Sequence, residues 1–442
     1  MMTHVFESDT RERIIAAKGA PEAIIEVCKL LPDEAISVRD TVNKFSESGA
    51  RVLGVATSEY DGNDFPSRQQ QLPFLFVGLV AFYDPPKANI PTVLKTFYDA
   101  GLEVKVITGD YATTTKAICN QVGFRGTDAT MDGADILRLT DDELKQAVGK
   151  VNIFTRMFPD AKLRVIRALK EQGHVVAMTG DGVNDGPALK AAHIGVAMGK
   201  KGTEMAKRVS ALVLTDDDLG RMIHAIGLGR KIYANLKKAI QYIVSIHIPI
   251  ILIVLLPLVF GWLYPTIFTP VHVIFLELIM GPTCSIIYEN EPPEPHLMTQ
   301  PPRVFSQSLF HRGELITSIV QGLVITAGLV FIYHYAIRQD LDEQGTRAMV
   351  FATLISANVF LTLVNRSSRN SIWVSIRYRN RLVPLIILLT LSLASLIFGV
   401  GMVARFFALN PPGVQYLLIA VLAGFTSVIW IEVVKWFQRR KR

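Results

Sequence analysis

The sequence predicts an α/β cytosolic portion followed by an all-α bundle of six membrane helices. The chain has 442 residues, of which 50% are hydrophobic, so it is too long for one ordinary domain and too apolar for an ordinary soluble protein. Charged residues crowd the first half, whereas long apolar stretches follow Ile232. Within the first half, strand-like runs alternate with helical patterns, which is typical of a parallel sheet with crossover helices.

The net charge of +7 does not indicate a nucleic-acid partner. No basic patch is interleaved with aromatic residues, and the clearest basic clusters flank apolar stretches, so membrane topology explains them better. The first residues contain no apolar stretch of the length that a secretory signal requires. We therefore expect the first half of the chain to stay in the cytosol.

The strand-like runs of the first half are LFVGLVAFY, VKVIT, NIFTR and HVVAMT. Two of these runs end in the sequence Thr-Gly-Asp (TGD), at Thr108–Asp110 and Thr179–Asp181. Because ligands bind at the carboxyl ends of strands in open α/β sheets, we expect both turns to face one site.

The second TGD continues as GVNDGPALKAAHIGVAMG, which places Asp181, Asn184 and Asp185 within five residues. Acidic groups this close repel one another without a cation, and oxygen ligands at a strand end suit Mg²⁺. The glycines let backbone N–H groups approach an anion closely. A solvated acidic turn is the alternative interpretation.

Six apolar stretches in the second half are each close to the roughly 20 residues that a helix needs to cross the hydrocarbon layer. They are residues 243–262, 268–288, 315–335, 349–363, 382–403 and 414–436. Arginines crowd the loop after the fourth stretch and basic residues end the chain, so both segments should be cytoplasmic. A helical bundle inside a large soluble protein would give the loops no reason to alternate in charge. We expect an integral, multi-pass protein of the cell membrane, in contact with the lipid bilayer.

Polar side chains inside a span are costly unless they are partnered, and are functional candidates for that reason. Glu277 lies mid-span, His247 lies just before the helix-breaking Pro249, and Asn358 shares a helical face with two further polar residues. We expect Glu277, His247 and Asn358 to line the path of a transported cation. For Glu277 the reason is that an unpaired carboxylate in hydrocarbon has no structural use. Asn358 could instead bond a neighbouring helix, and His247 could be packed beside a proline kink.

The segment TGDGVNDGPALKAAHIGVAMG resembles the hinge motif of P-type ATPases, which are members of the haloacid-dehalogenase superfamily. KGAPE at Lys18–Glu22 and GARVLGVA at Gly49–Ala56 resemble the family's nucleotide contacts, and DPPK at Asp84–Lys87 resembles its return into the phosphorylation domain. With TRMFPDAK at Thr155–Lys162 and the membrane helices, the likeness covers nearly the whole chain. It implies a partial nucleotide-binding domain at residues 1–82, a Rossmann-like phosphorylation domain at 83–228, and a six-helix membrane domain at 229–442.

The resemblance also implies ATP and Mg²⁺ as cofactors, and it implies roles for individual residues. Mg²⁺ would be coordinated by Asp181, with Asp185 as a supporting charge. Phosphate contacts and catalysis would involve Thr108, Gly109, Asp110, Lys162 and Asn184, and nucleotide contacts would involve Lys18, Gly19, Arg51 and Arg156. These roles agree with phosphoryl transfer, which relies on positioning and charge neutralisation.

The family's nucleophile is the aspartate of a DKTGT sequence, and no such sequence occurs between Met1 and Arg442. The family places that motif upstream, so we expect this chain to be the carboxy-terminal part of a pump that lacks its amino-terminal portion. Alone, it should neither form an aspartyl phosphate nor transport. A non-catalytic membrane protein that associates with or regulates a complete pump is the alternative. A phosphatase fused to a membrane anchor would need its own nucleophilic aspartate.

The membrane helices resemble those of calcium, sodium–potassium and proton pumps, and no CPC-type ligand pair points to heavy metals. Where calcium pumps have asparagine and glutamate in the first of these spans, this chain has His247 and Ile250. Glu277 stands at a usual asparagine, Gly281 at a usual aspartate and Asn358 at a usual glutamate. Because fewer carboxylates give less charge to bind a divalent ion, a monovalent cation or a proton is at least as plausible as Ca²⁺.

Overall fold

The computed structural model describes residues 1–7, 13–60, 65–294, 296–303, 312–367 and 370–440. These residues form two compact units. The first consists of Met1–Ala225 with residues 299–303, and the second of Ile226–Met298 with residues 312–440.

The first unit begins with a four-stranded antiparallel sheet in the order β1-β2-β3-β4. Its strands are β1 (Met2–Glu7), β2 (Arg13–Gly19), β3 (Arg51–Ser58) and β4 (Leu75–Phe82). Helices α1 (Pro21–Val27) and α2 (Pro32–Glu47) connect β2 to β3. Helix α1 packs closely on β3, because a Cβ atom at Gly54 would lie 2.9 Å from Cβ of Ile24.

The interpretation of LFVGLVAFY as a strand of the parallel sheet is wrong. Strand β4 pairs antiparallel with β3, from Phe82 opposite Arg51 to Leu75 opposite Thr57. A strand inside a parallel sheet is buried on both faces, whereas Leu75, Val77 and Phe82 are exposed here. A short apolar run does not reveal which of these two environments it occupies.

Six short strands of the first unit form two parallel sheets of three strands each. One sheet has the order β5-β7-β6 and the other the order β8-β9-β10, so β5 and β8 are each paired on one side only. The strands are β5 (Val106–Ile107), β6 (Thr130–Asp132), β7 (Ile153–Thr155), β8 (Ala177–Gly180), β9 (Ile194–Met198) and β10 (Leu212–Leu214).

Seven helices accompany these strands, and both sheets share one apolar core. Phe154 of β7 and Met178 of β8 belong to the same buried cluster. The helices are α3 (Ile90–Asp99), α4 (Ala112–Gln121), α5 (Gly133–Arg138), α6 (Asp141–Lys150), α7 (Pro159–Glu171), α8 (Gly186–Ala191) and α9 (Glu204–Val209). The predicted α/β architecture with crossover helices is confirmed.

The second unit is helical, and among the described residues six helices are long and apolar enough to cross a membrane, which confirms the predicted number. These are α10 (Gly220–Val259), α11 (Pro270–Pro282, continued by a π-helical turn at Thr283–Tyr288), α12 (Arg312–Arg338), α13 (Glu343–Val364), α15 (Leu382–Gly399) and α17 (Val414–Arg440). Two short helices, α14 (Ile372–Ser375) and α16 (Gly401–Phe406), lie between them along the chain.

Helix α10 runs through Pro249 and Pro257 without a break, so the interpretation of Pro249 as helix-breaking is wrong. A proline removes one N–H, and the carbonyl group four residues earlier loses that partner. Transmembrane helices tolerate this loss because neighbouring groups satisfy the freed carbonyl. Pro249 is buried, and so is Ser245, whose carbonyl group is the one affected.

Helix α13 lies at the centre of the second unit and is almost entirely buried. Helix α17 approaches it closely, because a Cβ atom at Gly424 would lie 2.6 Å from the carbonyl oxygen of Thr353. The hydroxyl group of Ser356 also donates to the carbonyl oxygen of Val421 at 2.9 Å. Small residues at such interfaces are typical of membrane helix packing.

Candidate functional site

The turn after β8 is organised by an ion pair between Lys162 and Asp185. The Nζ–Oδ1 distance is 2.6 Å, and the two side chains are 13% and 10% exposed. The other oxygen of Asp185 accepts the backbone N–H groups of Asp181 at 3.4 Å and Gly182 at 3.3 Å. Residue 180 has to be glycine, because a Cβ atom there would lie 2.7 Å from Cβ of Asp185. Asp185 therefore positions both the lysine and the turn.

Asp181 and Asn184 are the exposed polar residues of the same turn. The carboxylate of Asp181 has no hydrogen-bond or ion-pair partner among the residues that the structure describes, and its carbonyl group accepts from the N–H of Thr203 at 2.8 Å. Nowhere in the described part of the chain do three or more His, Cys, Asp or Glu residues form a group that could hold a metal ion. Mg²⁺ needs only one or two carboxylates when phosphate oxygens complete its shell, so Asp181 fits such an ion.

The turn after β5 holds the first TGD. The Thr108 hydroxyl group donates to Oδ2 of Asp110 and accepts from its N–H, both at 3.1 Å. Arg51 approaches the same carboxylate, with 3.5 Å between Nε and Oδ1. Gly109 is exposed between the two, so its backbone N–H is open to an incoming anion.

Residues 156–162 connect the two turns. The N–H groups of Met157 and Arg156 donate to the carbonyl oxygens of Thr108 and Asp110, at 2.9 and 3.1 Å. Helix α7 starts directly afterwards and carries Lys162 in its first turn. No hydrogen bond or ion pair joins Thr108 to Lys162 or Asp181 within the described residues. The structure thus brings together Lys162 and Asp185 on one side, and Thr108, Asp110 and Arg51 on the other.

The residues expected to contact nucleotide lie on the antiparallel sheet and after β7. Lys18 is opposite Val55 in the sheet, and cross-strand partners project to the same face. Because residues 51, 53 and 55 alternate to that face as well, Lys18 and Arg51 share it. Gly19 allows close approach of the chain terminus, since a Cβ atom there would lie 2.8 Å from Cα of Met1.

Arg156 follows β7 directly, in a left-handed conformation with φ of 49°. Its guanidinium group lies 5.6 Å from the centre of the Tyr111 ring and 3.9 Å from the carboxylate of Asp132. This arginine therefore sits at the carboxyl end of β7, next to the first TGD turn.

In the membrane helices, His247 of α10 contacts Glu277 of α11, with 3.1 Å between Nε2 and Oε1. The interpretation of Glu277 as an unpaired carboxylate is therefore wrong. The Nδ1 atom of His247 faces the carbonyl oxygen of Ile243 at 2.9 Å, and a carbonyl group only accepts, so Nδ1 must donate. Nε2 is then the ring atom that faces the carboxylate of Glu277.

Asn358 has a different partner. It is buried in α13 and its side-chain oxygen accepts from the hydroxyl group of Tyr242. No hydrogen bond joins it to His247 or Glu277 in the part of the chain that the structure describes. The alternative for Asn358, a bond to a neighbouring helix, is the arrangement observed.

The sequence interpretation missed a buried polar relay between three helices. Ser245 of α10 donates to Gln321 of α12 at 2.8 Å, and Gln321 donates to Asn365 after α13 at 3.0 Å. Tyr242, Ser245 and Pro249 recur at i, i+3 and i+7, which is the spacing of one helix face. That spacing is the signal that could have identified Tyr242 and Ser245.

Three family descriptions match parts of the chain, and the first two of these parts overlap. Residues 1–89 match the cytoplasmic domain N of P-type ATPases, residues 57–193 match haloacid dehalogenase-like hydrolases, and residues 265–437 match the C-terminus of cation transporting ATPases.

Similar proteins occur in several bacteria. Calcium-transporting ATPase 1 of Lactococcus lactis is 32% identical over 82% of this chain and 42% of its own length. A calcium-transporting ATPase of Listeria monocytogenes is 29% identical over 99% of this chain and 50% of its own length. The probable cation-transporting ATPase F of Mycobacterium tuberculosis is 32% identical over 84% of this chain and 43% of its own length. The chain thus spans about half the length of the relatives that it matches.

Proposed function

Because this chain belongs to the P-type ATPases, we propose that it is the carboxy-terminal part of a pump that uses ATP to move a cation across a membrane through an aspartyl-phosphate cycle. The observation that carries the proposal is the ion pair of Lys162 with Asp185 at the carboxyl end of β8. Residues 156–162 tie this pair to the first TGD turn, so the two turns support one phosphate site.

We assign each side chain of this site a role according to its charge and its free hydrogen-bonding groups. Asp181 supplies a free carboxylate for Mg²⁺, which neutralises phosphate charge when it is bound. Lys162, held in place by Asp185, supplies a fixed positive charge for the phosphoryl oxygens. Thr108, the N–H of Gly109 and Asn184 supply hydrogen-bond donors. Such preorganised donors need no rearrangement when charge develops during phosphoryl transfer.

We assign the nucleotide contacts to Lys18, Gly19, Arg51 and Arg156. Lys18 and Arg51 share one face of the antiparallel sheet, and Arg51 also touches Asp110 of the TGD turn. This contact supports a continuous path from a nucleotide-binding surface to the phosphate site.

The nucleophilic aspartate would come from the amino-terminal portion of the pump, since residues 1–442 contain no DKTGT sequence. Strands β5 and β8 are each paired on one side only, and the turns that follow them carry the phosphate site. A further strand entering beside them would pair their open edges and deliver its own carboxyl end to that site.

For the cation we propose contact with His247 and Glu277, with Asn358 and Tyr242 as neighbouring polar support. The His247–Glu277 pair is partly exposed on the helices. A single carboxylate beside an imidazole suits a monovalent cation or a proton as well as Ca²⁺. The basic loops support a topology with both ends of the chain in the cytosol, and we propose the plasma membrane as the location of the protein.

The test is ATPase activity of the complete pump across a panel of cations, with Glu277→Gln beside the wild-type protein. We expect the variant to lose its dependence on the transported ion. Glu289→Gln, at an exposed position beyond the same helix, is the matched control and should behave as the wild type. Unchanged ion dependence in Glu277→Gln would show that the membrane assignment is wrong.

The second candidate function is a non-catalytic protein that associates with a complete pump. The absence of a DKTGT sequence from the 442 residues favours it. Expression of this chain beside a complete pump distinguishes the two functions, because a regulator would alter transport although it takes up no phosphate itself.

A further inference from the structure

The segment Asn370–Arg381, between α13 and α15, exposes apolar and basic side chains side by side. Trp373 in α14 is 80% exposed, and Val374 and Ile376 are about half exposed. Arg377, Arg379 and Arg381 follow at alternate positions, all exposed. An exposed tryptophan beside a basic run is not explained by packing within the bundle.

The three arginines of this segment have no acidic partner. None of their guanidinium groups forms a hydrogen bond or ion pair with any residue that the structure describes. Glu432 is the only acidic residue after Glu343 in the sequence, and it already binds Lys435 at 2.9 Å and the N–H of Ile372 at 3.1 Å. These three positive charges are therefore available to a negatively charged partner outside the described residues.

A fourth arginine of this region, Arg366, differs from these three because it is buried and paired. Arg366, directly after α13, is buried and pairs with the buried Glu291 at 2.8 Å. The fold therefore satisfies one arginine of this region internally and presents the other three outward.

The segment is held firmly although its arginines are exposed. The side chain of Asn380 is buried and donates to the carbonyl oxygen of Ile287 at 3.0 Å and to Glu291 at 2.9 Å. Asn370 donates to the hydroxyl group of Tyr378 at 2.6 Å, which closes the segment on itself. The exposed side chains are thus displayed from a fixed backbone, so binding does not have to order the backbone of the segment.

The position of the segment identifies its partner. Helix α13 ends at Val364 and α15 begins at Leu382, so the segment lies where two spans leave the hydrocarbon layer. Tryptophan prefers this depth of a bilayer, and arginines beside it meet lipid headgroups. We infer that Asn370–Arg381 is an interfacial anchor that binds anionic phospholipids, with Trp373 in the interface and the three arginines on the phosphates. This inference goes beyond the proposed transport function and does not depend on it.

The test measures which lipids remain bound to the purified protein. The protein is exposed to equal amounts of phosphatidylglycerol and phosphatidylcholine, delipidated in mild detergent, and analysed by mass spectrometry of the bound lipids. We expect phosphatidylglycerol to be enriched, and the enrichment to fall about fivefold for each arginine replaced by glutamine. It should also weaken at high salt.

Arg379→Gln and Arg405→Gln form a matched pair. Arg405 is also exposed beside apolar residues, in α16, but it is remote from the segment in sequence. Only Arg379→Gln should reduce the enrichment. Equal retention of both lipids, or equal loss in the two variants, would overturn the inference. Binding of a soluble polyglutamate peptide without lipid selectivity would also overturn it, in favour of an acidic protein partner.

Trp373→Phe provides a readout that does not depend on the arginines. The difference in fluorescence between the wild-type and variant proteins isolates the emission of Trp373. Bromination of the lipid chains near the headgroup should quench that emission in phosphatidylglycerol bilayers. Quenching by aqueous acrylamide alone would place Trp373 in water and contradict the anchor.

Discussion

At the scale of single residues, the Lys162–Asp185 ion pair is the feature most sensitive to change. Both side chains are nearly buried, and breaking such a pair leaves an uncompensated charge that costs about 3–5 kcal/mol. Asp185 also holds the backbone of the turn through two N–H groups. The loss of either partner therefore affects both stability and phosphate binding.

Lys162→Met should lower phosphoenzyme formation in the complete pump by about 100-fold or more, because a fixed charge at the phosphoryl group is removed. Acid-stable incorporation of label from ATP measures this. Lys170→Met is the control on the same helix, since among the described residues Lys170 bonds only the carbonyl oxygen of Ala191. A similar loss in both variants would indicate damage to α7 rather than a role for Lys162.

Cys119 should be inert to alkylation in the folded protein. Burial raises the pKa of its thiol to about 11, so at pH 8 only about one part in a thousand is thiolate, the reactive form. Raising the pH towards 11 increases the thiolate fraction. Mass spectrometry after iodoacetamide treatment should show Cys119 modified only once the protein is unfolded, and Cys28, which is partly exposed, modified earlier. Rapid labelling of Cys119 at pH 8 would contradict its burial.

The sequence shows which polar residues share a turn where a motif orders them, but it does not show partners that depend on tertiary contacts. Asp181, Asn184 and Asp185 share one turn because they are neighbours in the chain. The partner of Glu277 could not be predicted, because His247 is 30 residues away and the contact depends on how α10 and α11 pack. Asn358 likewise accepts a hydrogen bond from Tyr242, which lies on another helix.

At the scale of elements, the six spans were predicted, and so were the strands at VKVIT, NIFTR and HVVAMT, which are β5, β7 and β8. The six spans follow from length and hydropathy alone. The pairing of β4 was not predicted, because its apolar run has the same composition as a strand of a parallel sheet. Pro249 was misread because the sequence does not show the neighbouring helices that stabilise a proline within a span.

Gly424→Ala should weaken the contact of α17 with α13. Its methyl group would lie 2.6 Å from the carbonyl oxygen of Thr353 and 2.7 Å from Cβ of Ser356, and overpacking of this kind costs about 1–3 kcal/mol. Thermal unfolding in detergent, followed by size-exclusion chromatography, measures the loss. Gly399→Ala, where no atom lies within 4 Å of the new methyl group, is the control. Equal stability of the two variants would refute the close packing.

At the scale of the whole molecule, the proposed function predicts that this chain and the amino-terminal half of the pump complement each other when they are expressed separately. The isolated chain should take up no acid-stable label from ATP, because its sequence supplies no DKTGT aspartate. Added to a separately expressed amino-terminal half of the pump, it should restore labelling that hydroxylamine removes. Hydroxylamine-sensitive label on the isolated chain would refute the proposal.

Hydrogen exchange gives a second readout of the same assembly. The open edges of β5 and β8 should gain protection when the amino-terminal half is added, whereas β9, which is paired on both sides, should change little. Protection without restored labelling would mean that the halves associate but do not form a working phosphate site.

Helix α10 has 40 residues without a break, which makes it about 60 Å long, roughly twice the thickness of the hydrocarbon layer. A rod of that length works as a lever. Pivoting it by about 5° moves its tip by about 5 Å, which is comparable to the spacing between strands in a sheet. The same pivot about the Gly220 end would move the backbone at His247, which lies about 40 Å along the helix, by about 3.5 Å.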